Sequence, residues 1–103
     1  MNKVILIGNL TREVELRYTP QETAVGNFTL AINDPYKKDE ADFIPIVVWR
    51  KTAENCANYL GKGSQVAVEG KMKVRSYEDK EGNKRWVTEV VADSVHFITK
   101  QGS

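Results

Sequence analysis

The stretch QVAVEGKMKVRSY, residues 65–77, is one extended strand with two unlike faces. Val66, Val68, Gly70, Met72 and Val74 alternate with Ala67, Glu69, Lys71, Lys73, Arg75 and Tyr77, the period of two that a strand imposes. The aliphatic side can seat on a core. The other side carries three cations and then a ring, spaced about 6.6 Å apart because same-face residues sit two strand rises apart. Positive charge in a row, ending in a flat apolar ring, suits a polyanion whose units also carry flat rings, such as a nucleic acid with exposed bases. A lysine-rich solvent face also defends strand edges against aggregation, so the row alone does not decide.

The alternation recurs on either side of this strand. KVILIG, residues 3–8, is a compact apolar strand, and Glu15 to Thr19 continues it after a bend, closed by Pro20 at a turn position. Thr23 to Asn33 sets Ala24, Gly26, Phe28, Leu30 and Ile32 against Val25, Asn27, Thr29 and Ala31. Asp34-Pro35 and the charged residues to Asp42 predict a loop. Phe43 to Arg50 resumes a strand, with Ile44, Ile46 and Val48 opposite Phe43, Pro45, Val47 and Trp49. Thr52 is positioned to cap a helix whose stripe is Ala53, Cys56, Ala57 and Leu60, ended by Gly61. After residue 77, a hairpin loop at 79–83 containing Gly82 leads to a return strand, Lys84 to Ile98, bent near Asp93-Ser94.

The order is β-β-β-α-β-β: an all-β domain with one helix. It predicts an OB-fold, a partly open five-stranded Greek-key barrel of the kind that binds oligonucleotides and oligosaccharides, with the helix plugging one end. Residues 1–98 are expected to form that domain and 99–103 a short C-terminal remnant. Phe28, Tyr18, Tyr59 and Phe97 are expected in or near the core.

At 103 residues the chain is one domain. Its 41% hydrophobic and 28% charged residues are those of an ordinary soluble globular protein. Net charge is only +1, so attraction for a polyanion has to come from local segregation. Asp39, Glu40 and Asp42 gather in one place, and Lys71, Lys73, Arg75, Lys84 and Arg85 in another. No apolar run approaches a membrane span, and the N-terminus does not resemble a signal peptide. The single cysteine, Cys56, allows no internal disulfide, fits a reducing cytoplasm, and on its helical stripe reads as a buried structural thiol.

Catalysis has little to work with. His96 is the one histidine, and no second ligand stands at a metal-like spacing, so neither a metal nor a cofactor is expected. Asp93, Ser94 and His96 hold the letters of a hydrolase triad, but along one strand Asp93 points away from the other two, and a triad needs convergence. The glycines form no phosphate-cradling loop. Binding has more support. Tyr36 lies in a charged loop, Phe43 and Trp49 lie opposite the aliphatic side of their strand, and Tyr77 ends the cationic row. Four such rings beside a row of cations describe the stacking platform and positive groove by which OB-folds hold single strands.

The segments NKVILIGNL, ELRYTP, FTLAIN, ADFIPIVVWR, ENCANYLGKGSQVAVEGKMKVRSYED and TEVVADSVHFI closely resemble the bacterial single-stranded DNA-binding proteins, over nearly the whole chain. The resemblance implies an OB-fold that assembles, usually as a homotetramer, and wraps single-stranded DNA without sequence preference in replication, recombination and repair. It implies stacking by Tyr36, Phe43, Trp49 and Tyr77. It implies phosphate contacts from Lys3, Arg17, Lys51, Lys62, Lys73, Arg75 and Arg85, and a subunit contact around Lys3 to Ile7. Trp86 is left between a subunit contact and the barrel. Family members usually continue into a linker with an acidic tip that recruits other proteins; the sequence stops at Ser103 without one, so tail-mediated partners are not expected. A truncated form and a naturally tail-less or mobile-element variant both fit, in a bacterial cytoplasm and with no membrane. Two features depart from the family: Pro45 within a strand, which puts local pairing in doubt, and Pro20-Gln21-Glu22 without the usual turn glycine. An OB-type RNA-binding module and a protein-interaction adaptor remain as rivals.

Overall fold

Alternating strands pair around a ring. The computed structural model describes residues 1–98, apart from the side chain of Lys38, so the remnant expected at 99–103 lies outside the described residues. The elements are β1 (Val4–Leu10), β2 (Glu15–Tyr18), β3 (Ala24–Asp34), β4 (Lys37–Trp49), α1 (Arg50–Tyr59), β5 (Gln65–Glu78) and β6 (Lys84–Phe97). β1 runs antiparallel to β5, from Val4↔Gly70 to Asn9↔Gln65, and β5 to β6, from Val66↔Phe97 to Glu78↔Lys84. β6 meets β4 in parallel, β4 pairs with β3, and β1 curls over to reach β3 at Asn9↔Ala31 and Leu10↔Leu30. Five strands thus close a barrel of OB type with one helix. β2 hangs on β3 as a sixth strand, Glu15↔Asn27 to Tyr18↔Ala24.

The five-stranded OB barrel expected from the sequence is present and closed, although the seams are thin: β4 and β6 share only Ile46↔Val90 and Val47↔Val91. The continuation expected at Glu15 to Thr19 is a separate strand. The chain leaves β1 at Leu10, is held by Thr11 N–H donating to the Thr29 carbonyl at 3.1 Å, and then pairs again along β3.

Even-numbered strand positions point inward. Leu10, Phe28, Leu30, Ile46, Val48, Val66, Val68, Val90 and Ala92 form the core with Ala53, Cys56 and Leu60 from α1. Burying each large aliphatic side chain stabilises the fold by about 1.5–3 kcal/mol relative to exposure. Burial alone pushes the Cys56 thiol up to about 12, so it is a packing group and not a nucleophile. Phe28 and Phe97 pack in and against this core as expected, whereas Tyr18 and Tyr59 are more than half exposed.

Two hairpin arms leave the barrel. The loop expected at Asp34 to Asp42 is instead the tight turn and continuation of the first arm, since β4 already starts at Lys37. Asp34 Oδ1 accepts from the Tyr36 N–H at 2.9 Å, and Asp34↔Lys37 and Asn33↔Ala41 pair across the arm with a register shift between them. The described side chains at Tyr36, Lys37, Asp39, Glu40 and Asp42 are exposed on both faces and give no alternation; the main-chain ladder keeps this stretch extended. The second arm is the far half of β5–β6, where every residue from Lys71 to Glu78 is exposed. Met72 and Val74, expected on the core, stand beyond the barrel mouth. The bend expected near Asp93 is present: Gly70 faces Ala92 and Glu69 faces Ser94, leaving Asp93 unopposed, a bulge.

Three local details settle open points. Thr29's carbonyl is turned toward Thr11 and so away from β4, which makes Thr29↔Pro45 a non-hydrogen-bonded pair of the antiparallel ladder. Pro45 therefore loses no bond to β3, and the register runs unbroken from Val25↔Trp49 to Asn33↔Ala41. Glu22 occupies the left-handed region with φ 63°, the conformation that the missing turn glycine would adopt freely. Thr52 does not cap α1: the helix begins at Arg50 after an extended Trp49, with no side-chain capping bond.

Candidate nucleic-acid interface

Odd-numbered positions point out of the barrel, except on β6 beyond the bulge at Asp93, where Val95 and Phe97 turn to the core, and one part of this outer wall is concave. Val25, Val47 and Glu89 face outward yet are only 7%, 8% and 8% exposed. Around them lies an open groove of about 610 Å³, bordered by Arg12 and Arg17 on one side, Asn27, Pro45, Val47 and Trp49 along the middle, and Arg75, Val87 and Glu89 on the other. Strand register explains the convergence. Arg17 is opposite Val25 on β2–β3, Val25 is opposite Trp49 on β3–β4, and Val47 is opposite Val91 across the β4–β6 seam. Five strands contribute one face each to the same surface.

The groove brings together three residues singled out from the sequence: Trp49, Arg17 and Arg75. Trp49 is 40% exposed, an indole partly held by the wall and partly open. The same outward face continues onto both arms. Phe43 lies farther along β4, exposed and opposite Ala31, and Tyr36 projects from the turn at that arm's end. On the second arm Lys73 stands opposite Glu89, Arg75 opposite Val87 and Tyr77 opposite Arg85. Two of these cations are engaged: Arg75 Nε donates to Glu89 Oε1 at 2.8 Å, and Arg85 Nε to Asp79 Oδ2 at 2.9 Å. Asp79 also accepts from the Glu81 and Asn83 N–H groups. The Arg85 guanidinium, followed by the Asn83 N–H, holds the Asp79 carboxyl below its usual range.

Three expected phosphate-contacting cations lie off this surface. Lys51 lines a smaller cleft with Tyr18, Glu22 and Glu54. Lys62 is exposed in the α1–β5 connection, where its N–H donates to Glu13 at 3.3 Å. Lys3 sits on another wall, its ammonium 2.7 Å from Glu69 beside the exposed Ile5 and Ile7. Hydrogen bonding to Glu69 raises the Lys3 pKa and lowers that of Glu69. Sequence reasoning missed Arg12, Asn27 and Glu89. Arg12 lies in the bend after β1, where no period exists. Glu89 was legible, since it shares a face with Val87 and Val91 on the last strand.

The triad letters do not converge, in line with the expectation. Ser94 Oγ is 3.5 Å from His96 Nε2, and the carboxylate nearby is that of Glu69, not Asp93. Glu69 faces the same Nε2 at 3.8 Å. A relay needs the base to use one nitrogen for the nucleophile and the other for the acid, so the cluster is not catalytic. Among the described residues no group of three or more His, Cys, Asp or Glu could hold a metal ion, and no helix is long and apolar enough to cross a membrane.

The model of the single-strand binding protein family matches residues 1–98. A Single-stranded DNA-binding protein of Halalkalibacterium halodurans is 55% identical over all of this chain and 64% of its own length. Single-stranded DNA-binding protein 3 of Listeria innocua is 54% identical over 95% of this chain and 64% of its own. That of Oceanobacillus iheyensis is 50% identical over the whole chain and 66% of its own. The chain thus spans just under two thirds of the length of these relatives. Matched from Met1 through the end of β6, it belongs to the single-strand binding protein family.

Proposed function

We propose that this chain binds single-stranded DNA without reading its sequence, as a non-catalytic protein of replication, recombination and repair in a bacterial cytoplasm. The observation that carries this is the concave outer wall on which Trp49, Arg17 and Arg75 converge. Family membership supports the same ligand. Bases stack on Trp49 and Phe43, and on Tyr36 and Tyr77 along the arms. Each stack contributes about 1–3 kcal/mol whatever the base, because every base has a flat face. Arg17, Lys73, Arg75 and Arg85 take phosphates, with Lys51, Lys62 and Lys3 available to a strand that passes beyond the groove. Duplex DNA, whose paired bases hide their faces, binds poorly.

The chain acts as a homotetramer in this reading. Among the described residues β1 pairs only with β5 from Val4 to Gly8, which leaves a strand edge able to pair with a second copy. Ile5 and Ile7 are exposed beside it, and Met72, Val74 and Trp86 form a second exposed apolar surface on the arm, with the Lys84 ammonium 5.4 Å from the Trp86 ring centre.

The test uses the fact that the chain has two tryptophans. In Trp86→Phe, the remaining indole is Trp49, and a saturating oligo-dT should quench its fluorescence strongly. An unquenched signal with the strand demonstrably bound would remove Trp49 from the stacking path. Matched RNA competing equally would move the assignment to an RNA-binding module.

A further inference from the structure

A shielded carboxylate on the floor of a groove that takes a polyanion is at first sight misplaced. Glu89 is such a group: it points out of the barrel into the groove, and its side chain is 11% exposed. Its direct cross-strand neighbour is Lys73, yet the contact it makes is the diagonal one, with Arg75 Nε at 2.8 Å. Diagonal partners lie within reach of long side chains across an antiparallel ladder. Among the described residues this is the one polar contact of the Arg75 side chain, and it uses Nε alone. The rest of the planar guanidinium fork, which matches phosphate geometry, stays free at the edge of the groove.

We propose that Glu89 is a positioning residue for single-strand binding: its carboxylate holds the Arg75 guanidinium by Nε, so that the remaining N–H donors are presented to a backbone phosphate in the groove. Unheld, Arg75 is a long side chain on an exposed arm and would have to be ordered each time a strand bound. The carboxylate removes that cost in advance. Leaving Lys73 unclaimed keeps a second cation available beside it. The inference deepens the reading of the groove as the path of the strand and rests on it.

The two possible roles of Glu89 predict opposite signs. If the carboxylate only adds negative charge, removing it tightens binding to a polyanion. If it positions Arg75, removing it weakens binding. Oligo-dT affinity would be measured across a salt series for wild type, Glu89→Gln, Glu89→Val and Arg75→Ala, with folding of each checked by circular dichroism. Glu89→Val is expected to bind about tenfold more weakly, near the lower end for one charge-assisted hydrogen bond. Its slope of log affinity against log salt should flatten by about 0.7, one phosphate contact on a single strand. Glu89→Gln, which keeps an acceptor and the shape, should fall between Val and wild type, and it carries the test alone if the Val variant does not fold. In the Arg75→Ala background neither change should weaken binding further. Binding as tight as wild type or tighter in Glu89→Gln, with the slope unchanged, overturns the proposal. So does a loss confined to oligo-dC and oligo-dA, whose bases carry amino groups, because Glu89 would then contact bases directly. Wild type failing to bind oligo-dT sinks the groove reading itself, whereas indifferent Glu89 variants of a binding protein sink only this inference.

Discussion

The Lys3 ammonium and the Glu69 carboxylate meet at 2.7 Å across the β1–β5 ladder, on the wall that carries Ile5 and Ile7 and away from the groove that carries Trp49. The two exposed isoleucines beside this pair suit a covered surface, and the Lys3 ammonium is within reach only of a strand long enough to pass beyond the groove. Ile5→Asp is therefore expected to lower the mass in solution, read by analytical ultracentrifugation. Lys3→Ala should leave the salt slope for a short oligo-dT unchanged. A flatter slope in Lys3→Ala would put that ammonium back on the DNA path.

Stacking and charge separate by their response to salt. Trp49→Ala should weaken binding by about 1–3 kcal/mol on oligo-dT and mixed sequences alike, with little change in slope. Lys73→Ala should instead flatten the slope by about 0.7. The measurement is fluorescence anisotropy of a labelled oligonucleotide at several salt concentrations.

Gly70 faces the bulge at Asp93, and a Cβ built on it would press against the Val91 carbonyl and the Ala92 Cα. The neighbours are backbone and cannot swing aside. Gly70→Ala is expected to destabilise the fold by about 1–3 kcal/mol, the usual cost of overpacking a well-packed site, read as a lower urea midpoint at an unchanged m-value.

Glu22 is a left-handed residue in the turn held by the Glu22 N–H to Thr19 and Thr19 N–H to Thr23 bonds, at 2.8 and 2.9 Å. Glycine accepts that conformation without steric cost. Glu22→Gly should raise stability by up to about 1 kcal/mol, measured by the same urea titration.

The tip of the second arm should loosen in acid. The Asp79 carboxyl is held below its usual value by Arg85 and by the Asn83 N–H. A depressed carboxyl contributes stability that is fully present above its unfolded pKa and is lost as pH falls through the folded one. Amide exchange at Glu81 and Asn83 should be pH-independent in protection near neutrality and become less protected below the ordinary aspartate range. In Asp79→Asn that acid step should disappear.

Where a strand had one side on the core, the sequence disclosed both its face and its partner surface. The split of Phe43, Pro45, Val47 and Trp49 from Ile44, Ile46 and Val48 is the split between outer wall and core. Where no side was buried, periodicity failed. Residues 37–42 looked like a loop because strand pairing in solvent leaves no apolar imprint, and Met72 and Val74 looked like core because alternation continues past the point where the barrel ends. Arg75 and Trp49 could be placed on suitable faces, but their convergence depends on the long-range register of five strands. The ion pair at Glu89 depends on a diagonal across one of them, and no local pattern encodes that.

The β4–β6 seam, two residue pairs long, runs beneath the groove, with Val47 on one side of it and Val87 and Glu89 on the other. With the two-pair closure of β1 on β3 it is one of two narrow joins in the ring, and it is the one that lies under the groove. A strand of DNA lying in the groove would span that join from the Trp49 side to the Arg75 side and act as a clasp. Ligand affinity and resistance to opening then become one linked quantity: occupancy suppresses wall fluctuations at the seam, and any loosening of the seam weakens the hold on the ligand.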